Sequence, residues 1–328
     1  MNNTLDYSGY PDPFSICNDA VFKAIFTKET PESRTALRGL LSAFLERELS
    51  VLEVMANEPP ISGIQDRQIR YDISVRFNDG ERANVEMTVN PRQYESLRFE
   101  YYTARLFVNQ NIRGKDKTFN DLKPAYHLSF LAGNLYPDRE WLHRFVYCDP
   151  ERGIKMGGLT VILTIELKKL GTITAETVEQ FDIRKRWALY MLHSRVRIDE
   201  KTGIIQKIIS TDEGIAAADR VYNELTETEL EGLAAIARDK FEFDAREDIW
   251  EMKQAAQRKG HAEGHAQGLA EGHAEGHAEG HAEGHAEGLA EGRTEVRKET
   301  ARKLKAMGIP LEQIIEVSGL SVEVIEGL

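Results

Sequence analysis

The sequence predicts an α/β protein: a mixed β-sheet flanked by helices, with a C-terminal extension that is helical or flexible. Three observations lead there. Apolar residues recur at helical spacing over 15–30 and 34–48, where Phe22, Ile25 and Phe26 share one face and Leu37, Leu40, Leu41, Phe44 and Leu45 share another. Between Ile69 and Thr88 the period drops to two, the signature of half-buried strands. Beyond that point helix-like and strand-like segments alternate, which favours a partly antiparallel, mixed sheet over a bundle or a sandwich.

The elements follow in order. After the two N-terminal helices, Pro59-Pro60 and Ser62-Gly63 break the helical pattern. The strand pair comes next, then a helix over about 94–110. Ala125–Leu131, Phe145–Cys148 and Leu159–Leu167 read as further strands, and 173–194 and 211–250 mostly as helix. A repeat then divides the chain. From Gly260 to Gly292 glycine stands at every fourth position, nine times, in the unit Gly-His-Ala-Glu; Leu269 and Leu289 replace His, and Gln267 replaces Glu. The expected organisation is a domain over 1–200, a helical connector over 201–259, the repeat as a spacer over 260–292 and a small helical tail over 293–328.

Length and charge limit the function. A chain of 328 residues allows one to three domains, and 41% hydrophobic residues supply a real core. No stretch approaches the roughly 18 apolar residues of a membrane helix, and Met1–Asp6 lacks the basic start and apolar run of a secretory signal. Two cysteines, Cys17 and Cys148, form neither a disulfide framework nor a CxxC pair. A cytoplasmic protein with reduced thiols is the simplest expectation. The net charge of −12 argues against a nonspecific coat for nucleic acid, but residues 260–292 contribute −7 of it and leave room for a basic patch elsewhere.

The strand pair can be put in register. Tyr71, Ile73, Val75 and Phe77 alternate with Asp72, Ser74 and Arg76, and Ala83, Val85 and Met87 alternate with Arg82, Asn84, Glu86 and Thr88. A two-residue Asp79-Gly80 turn would mix the two faces. A three-residue loop, Asn78-Asp79-Gly80 with Gly80 left-handed, pairs Ile73 with Val85 and Tyr71 with Met87. It also sets Asp72 opposite Glu86 and Arg70 opposite Thr88. Opposed side chains have Cβ atoms about 4.5–5.5 Å apart, so two carboxylates there need a cation or a proton between them. A hard divalent ion such as Mg²⁺ or Mn²⁺ fits; a solvated hairpin neutralised by Arg70, Arg76 and Arg82 is the plainer alternative. On the next helix Arg98, Tyr102 and Arg105 share a face, suited to gripping phosphate oxygens or simply solvated.

These residues carry a resemblance. Asp19-Ala20-Val21-Phe22-Lys23-Ala24-Ile25-Phe26, Asp72-Ile73, the Gly80 turn, Val85-Glu86-Met87 and Arg98-Phe99-Glu100-Tyr101-Tyr102 follow one another in a recognisable order. Thr164-Ile165-Glu166-Leu167-Lys168, the helix around Arg186-Trp187, the glycine repeat and the Leu320-Ser321 tail continue it. The chain resembles the recombination-promoting nuclease and transposase group of the PD-(D/E)XK nuclease superfamily. That resemblance implies a restriction-endonuclease-like core with its active site on the hairpin and divalent-metal-dependent cleavage of DNA. It implies Asp72 and Glu86 as catalytic metal ligands, with Asp19 as an additional acidic candidate. The group places Gln or Lys two residues after the glutamate; here that position is Thr88, whose hydroxyl carries no charge. Arg70 or Arg98 is the expected substitute, and a nuclease fold that grips DNA without cutting it is the alternative. A third reading is a self-associating assembly protein built on the repeat and tail.

The repeat and tail carry their own expectations. Nine glycines cost a helix on the order of 8 kcal/mol relative to alanine, so a stand-alone helix over 260–292 is disfavoured. The readings are a flexible or partly helical spacer, a helix packing on other chains through its Gly/Ala stripe, or a metal-binding His row. In the tail, Glu295–Met307 reads as a helix stopped by Gly308-Ile309-Pro310, and two short apolar-faced segments flank the Ser318-Gly319 turn. The last stretch, 309–328, has no Lys or Arg, which favours partner or self-association over reading DNA.

Overall fold

The computed structural model describes residues 12–50, 52–55, 72–92, 94–110, 112, 115–171, 178–194 and 199–328. These divide into two compact units, 1–245 and 246–328.

The first unit is built on a six-stranded mixed sheet. Helices α1 (Asp19–Thr27) and α2 (Pro31–Leu45) precede strands β1 (Leu52–Met55), β2 (Ile73–Phe77) and β3 (Arg82–Thr88); α3 (Glu95–Val108) follows, then β4 (Ala125–Leu131), β5 (Leu142–Phe145) and β6 (Thr160–Glu166). The strand order is β1-β2-β3-β4-β6-β5, with β3, β4 and β6 parallel to one another and the remaining pairs antiparallel. Helices α4 (Ile183–His193), α5 (Asp199–Ile209) and α6 (Glu213–Glu224) come next, and α7 (Glu227–Ala306) starts in this unit.

Local chemistry explains the boundaries. Asn18 caps α1 by accepting from Ala20 N, and Thr30 caps α2, whose first residue is Pro31, by accepting from Ser33 N. The hairpin closes with Gly80 at φ 87°, and Ile73 pairs with Val85, the register set by the alternation of apolar and polar residues. Ile69, Arg70, Tyr71 and the Pro59-Pro60 and Ser62-Gly63 breaks lie outside the described residues, as does the start of the 173–194 helix.

Two faces of the sheet are covered differently. One carries Val75, Val85, Leu128, Phe130, Leu163 and Ile165 into an apolar core with α1, α2, α4 and α6. Helices α2 and α6 approach closely enough that a Cβ on Gly39 would lie 2.8 Å from Gly214 Cα. The other face is polar yet buried: Asn84, Glu86, His127, Ser129, Thr164 and Glu166 are each no more than 2% exposed. Phe99 of α3 lies over it, its ring 5.0 Å from that of His127.

Three elements differ from expectation. The strand expected at Phe145–Cys148 forms earlier, at Leu142–Phe145, where it can pair with β6, while Cys148 makes a single bridge to Lys155. Strand β1 and helix α5 were not foreseen. The short β1 forms by pairing with β2, at the sheet's edge, so its order comes from a distant partner rather than local pattern.

In the second unit the repeat lies within α7 and is helical throughout, with every residue of 260–292 exposed. The glycine penalty alone favours the opposite. Helix on both flanks removes the nucleation step, and alanine and glutamate, both good helix formers, fill most of the other positions. The end of α7 with α8 (Leu311–Ser318) and α9 (Val322–Glu326) closes a small core of Ala301, Ile314 and Ile325. Gly308, at φ 75°, ends α7 as its sequence requires. No helix among the described residues is long and apolar enough to cross a membrane.

Candidate active site

The hairpin and α3 position the candidate residues. Continuing the β2–β3 register by one residue sets Asp72 opposite Glu86. Glu86 is central to β3 and 2% exposed at its side chain; Asp72 precedes β2 and is 22% exposed. Asp19 opens α1, where its Oδ1 accepts from Ala20 N at 2.9 Å, and is nearly buried. Its other oxygen accepts from Lys240 Nζ of α7, and the same ammonium stands 4.0 Å from Asp72 Oδ1. A cation thus bridges the two aspartates.

Glu86 has a dense set of partners. Arg98 Nη2 donates to its Oε1 at 2.7 Å, and Arg98 Nε pairs with Glu95. Thr88 Oγ1 donates to Glu86 Oε1 at 3.4 Å and Ser129 Oγ at 3.3 Å; Asn84 Nδ2 reaches Oε2 at 3.5 Å. His127 Nε2 lies 3.5 Å from Oε1, while its Nδ1 is 3.2 Å from Asn84 Nδ2. The parallel β3–β4 register produces this cluster, pairing Asn84 with His127 and Glu86 with Ser129.

The two opposed carboxylates are driven apart electrostatically. Burial raises Asp72 to about 6, Lys240 opposes the rise, and the carboxylates of Glu86 and Asp19 add to it. Burial would also raise Glu86, but Arg98 and then His127 hold it well below the usual carboxylate range. Glu86 and Glu95 in turn hold Arg98 above its ordinary value against the effect of its own burial. Glu86 is therefore a fixed anion, while Asp72 stays above the usual carboxylate range because burial outweighs the nearby Lys240 cation.

The structure brings Asp19, Asp72, Glu86, Thr88 and Arg98 into one neighbourhood. It sets Arg98 against Glu86 and Glu95, with Nη2 3.4 Å from the Thr88 hydroxyl, rather than on an open surface. Tyr102 lies under the same guanidinium, 5.1 Å from ring centroid to Arg98 Cζ, and meets His127 edge-on. Arg105 is half-buried on the same helix face one turn further on. Arg70 lies outside the described residues.

Sequence reasoning missed Asn84, His127, Ser129 and Lys240. The first three had a visible signal: His127 and Ser129 alternate with Tyr126, Leu128 and Phe130 along one strand, polar against apolar. Lys240 had none, since it meets Asp19 across 221 positions.

The donor set suits a hard divalent cation. Asp72, just before β2, and Glu86 of β3 occupy opposed register positions, and the Lys240 ammonium stands as a cation beside Asp72. Among the described residues no group of three or more His, Cys, Asp or Glu side chains is gathered to hold a metal. A second buried carboxylate, Glu166, accepts from Leu135 N, Tyr136 N and Lys169 Nζ at 2.6, 3.1 and 2.7 Å, and its partners fix the loop after β4.

A sequence model of the family described as PD-(D/E)XK nuclease family transposase matches residues 16–251. No curated protein and no solved structure matches the chain.

Proposed function

The chain belongs to the PD-(D/E)XK nuclease family transposases, and on that premise we propose that it is a divalent-metal-dependent DNA endonuclease acting in recombination or transposition. The observation that carries this reading is the opposition of Asp72 and Glu86 on the hairpin, in the one register that separates apolar from polar positions. Asp72 and Glu86 hold Mg²⁺ or Mn²⁺. The ion supplies Lewis acidity toward water and offsets charge on the leaving oxygen.

The remaining roles belong to side chains. Arg98, Ser129, Asn84 and Thr88 hold the Glu86 carboxylate ionised and aimed, so that it needs no reorganisation when substrate arrives. Asp19 keeps Lys240 at the rim. Tyr102 and Arg105 continue the face on which a phosphodiester backbone lies. The chemistry belongs to the first unit, 1–245, whose core includes α5 and α6; the repeat over 260–292 spaces, and 293–328 associates with partners or with itself.

A second reading has its own support. Thr88 stands where the group has Gln or Lys, and the nearest guanidinium, Arg98, is engaged by Glu86 and Glu95. A protein that grips DNA through this fold without cutting it accommodates that arrangement. Supercoiled plasmid incubated with Mg²⁺, with Mn²⁺ and with EDTA separates the two. Metal-dependent nicking supports the nuclease; DNA retention on filters at low salt without nicking supports the binder.

A further inference from the structure

The histidines of the repeat recur four residues apart along α7. On α7 they stand at positions 261, 265, 273, 277, 281 and 285, and Leu269 takes the one place that interrupts the series. Residues four apart on a helix are neighbours on one face, with Cβ atoms about 5–6 Å apart. The structure shows this contact directly: the rings of His277 and His281 lie 6.5 Å apart, 22° from parallel. Every side chain of the row is exposed, so a shared ion needs only side-chain rotation to be held.

We propose that this row binds borderline transition-metal ions, with zinc as the type case, as imidazole pairs closed over one helical turn. Two imidazoles spaced i, i+4 on a helix are a known geometry for zinc, and imidazole nitrogen suits Zn²⁺, Ni²⁺ and Cu²⁺ rather than Mg²⁺. The six histidines make three non-overlapping pairs, 261/265, 273/277 and 281/285, so the row takes up to three ions. Each Glu of the repeat except Glu291 is two residues from its nearest His, about 200° away around the helix, and does not share its face. The sites are therefore bis-imidazole, with their other positions open to water or to a second chain. The seven glutamates, unbalanced by any Lys or Arg over 260–292, concentrate cations along the helix without ligating them. Because glycine stands between successive histidines, each closed pair also fixes a turn that the chain by itself holds weakly.

The proposal does not depend on the nuclease reading, and calorimetry of the untagged full chain tests it. Zn²⁺ is titrated into the wild-type chain and into a variant with His265→Ala, His277→Ala and His285→Ala. That variant keeps His261, His273 and His281 but has no two histidines four apart, and alanine preserves the helix. The wild-type chain is expected to bind up to three Zn²⁺ that the variant binds roughly tenfold or more weakly, and Zn²⁺ is expected to raise helical ellipticity in the wild type alone, reversibly with EDTA. Mg²⁺ is expected to leave the row unaffected. Equal affinity in both chains at half the stoichiometry would show independent single histidines and overturn the paired sites. Absence of any difference in Zn²⁺ binding between the two chains would overturn the row altogether.

Discussion

Replacing Asp72 by asparagine should stabilise the metal-free protein. In the fold the Asp72 carboxylate titrates at about 6, from a usual value of 3.8, because it is buried opposite Glu86 and near Asp19. The folded state thus holds a proton on Asp72 that the unfolded chain has already lost between about pH 4 and pH 6. Wild-type stability in EDTA should fall as pH rises through that window and stay lower above it. Two pH units at about 1.4 kcal/mol each set an upper bound of about 3 kcal/mol. Asparagine has the same shape and no charge, so Asp72→Asn should recover much of that above pH 6, a rise of several degrees in Tm. Excess Mg²⁺ should close the gap by stabilising the wild type alone, by about 2.7 kcal/mol at a hundredfold excess over Kd. Thermal unfolding across pH, with EDTA or Mg²⁺, reads all of this. An Asp72→Asn protein no more stable than the wild type at pH 8 in EDTA would refute the opposed-carboxylate account.

Three further perturbations follow from the same geometry. Arg98→Ala strips Glu86 of its closest cation in a buried setting and should cost about 3 kcal/mol in urea unfolding; a loss under about 1 kcal/mol would demote the pair to a surface contact. Lys240→Met removes a positive charge 4.0 Å from Asp72 and should tighten Mn²⁺ binding about tenfold by calorimetry, after discounting a Coulomb term of about 4 kcal/mol for the exposure of the lysine; unchanged affinity would place Lys240 outside the site. Gly39→Ala puts a Cβ 2.8 Å from Gly214 Cα and 3.4 Å from Trp187 Cζ2 and should destabilise by about 1–2 kcal/mol despite alanine's better helix propensity, whereas a neutral result would mean that α2 and α6 separate without penalty.

The hairpin was legible because its information is local. Period two along Ile73–Phe77 and Arg82–Thr88, with one glycine able to turn left-handed, leaves a single register, and that register places Asp72 and Glu86. The environment of Glu86 was not legible in the same way. His127 and Ser129 reach it only through parallel pairing of β3 with β4, a crossover that strand periodicity does not encode. Arg98 illustrates the limit most clearly. Its helical spacing with Tyr102 and Arg105 was readable, but whether that face meets solvent or a buried carboxylate depends on where α3 lies on the sheet. The repeat shows the converse: per-residue propensity spoke against a helix, and continuity with its flanks within α7 outweighed it.

The central claim is that Asp72 and Glu86 together make a metal-dependent cutting site. Single-turnover nicking of supercoiled plasmid by the wild type, Asp72→Asn and Glu86→Gln, at saturating protein and matched DNA binding, tests it most directly. Mg²⁺- or Mn²⁺-dependent nicking by the wild type, abolished in both variants while each still binds DNA and unfolds cooperatively, is the expected result. Nicking that persists in both variants, or a wild type that binds DNA and never cuts with either ion, would contradict it.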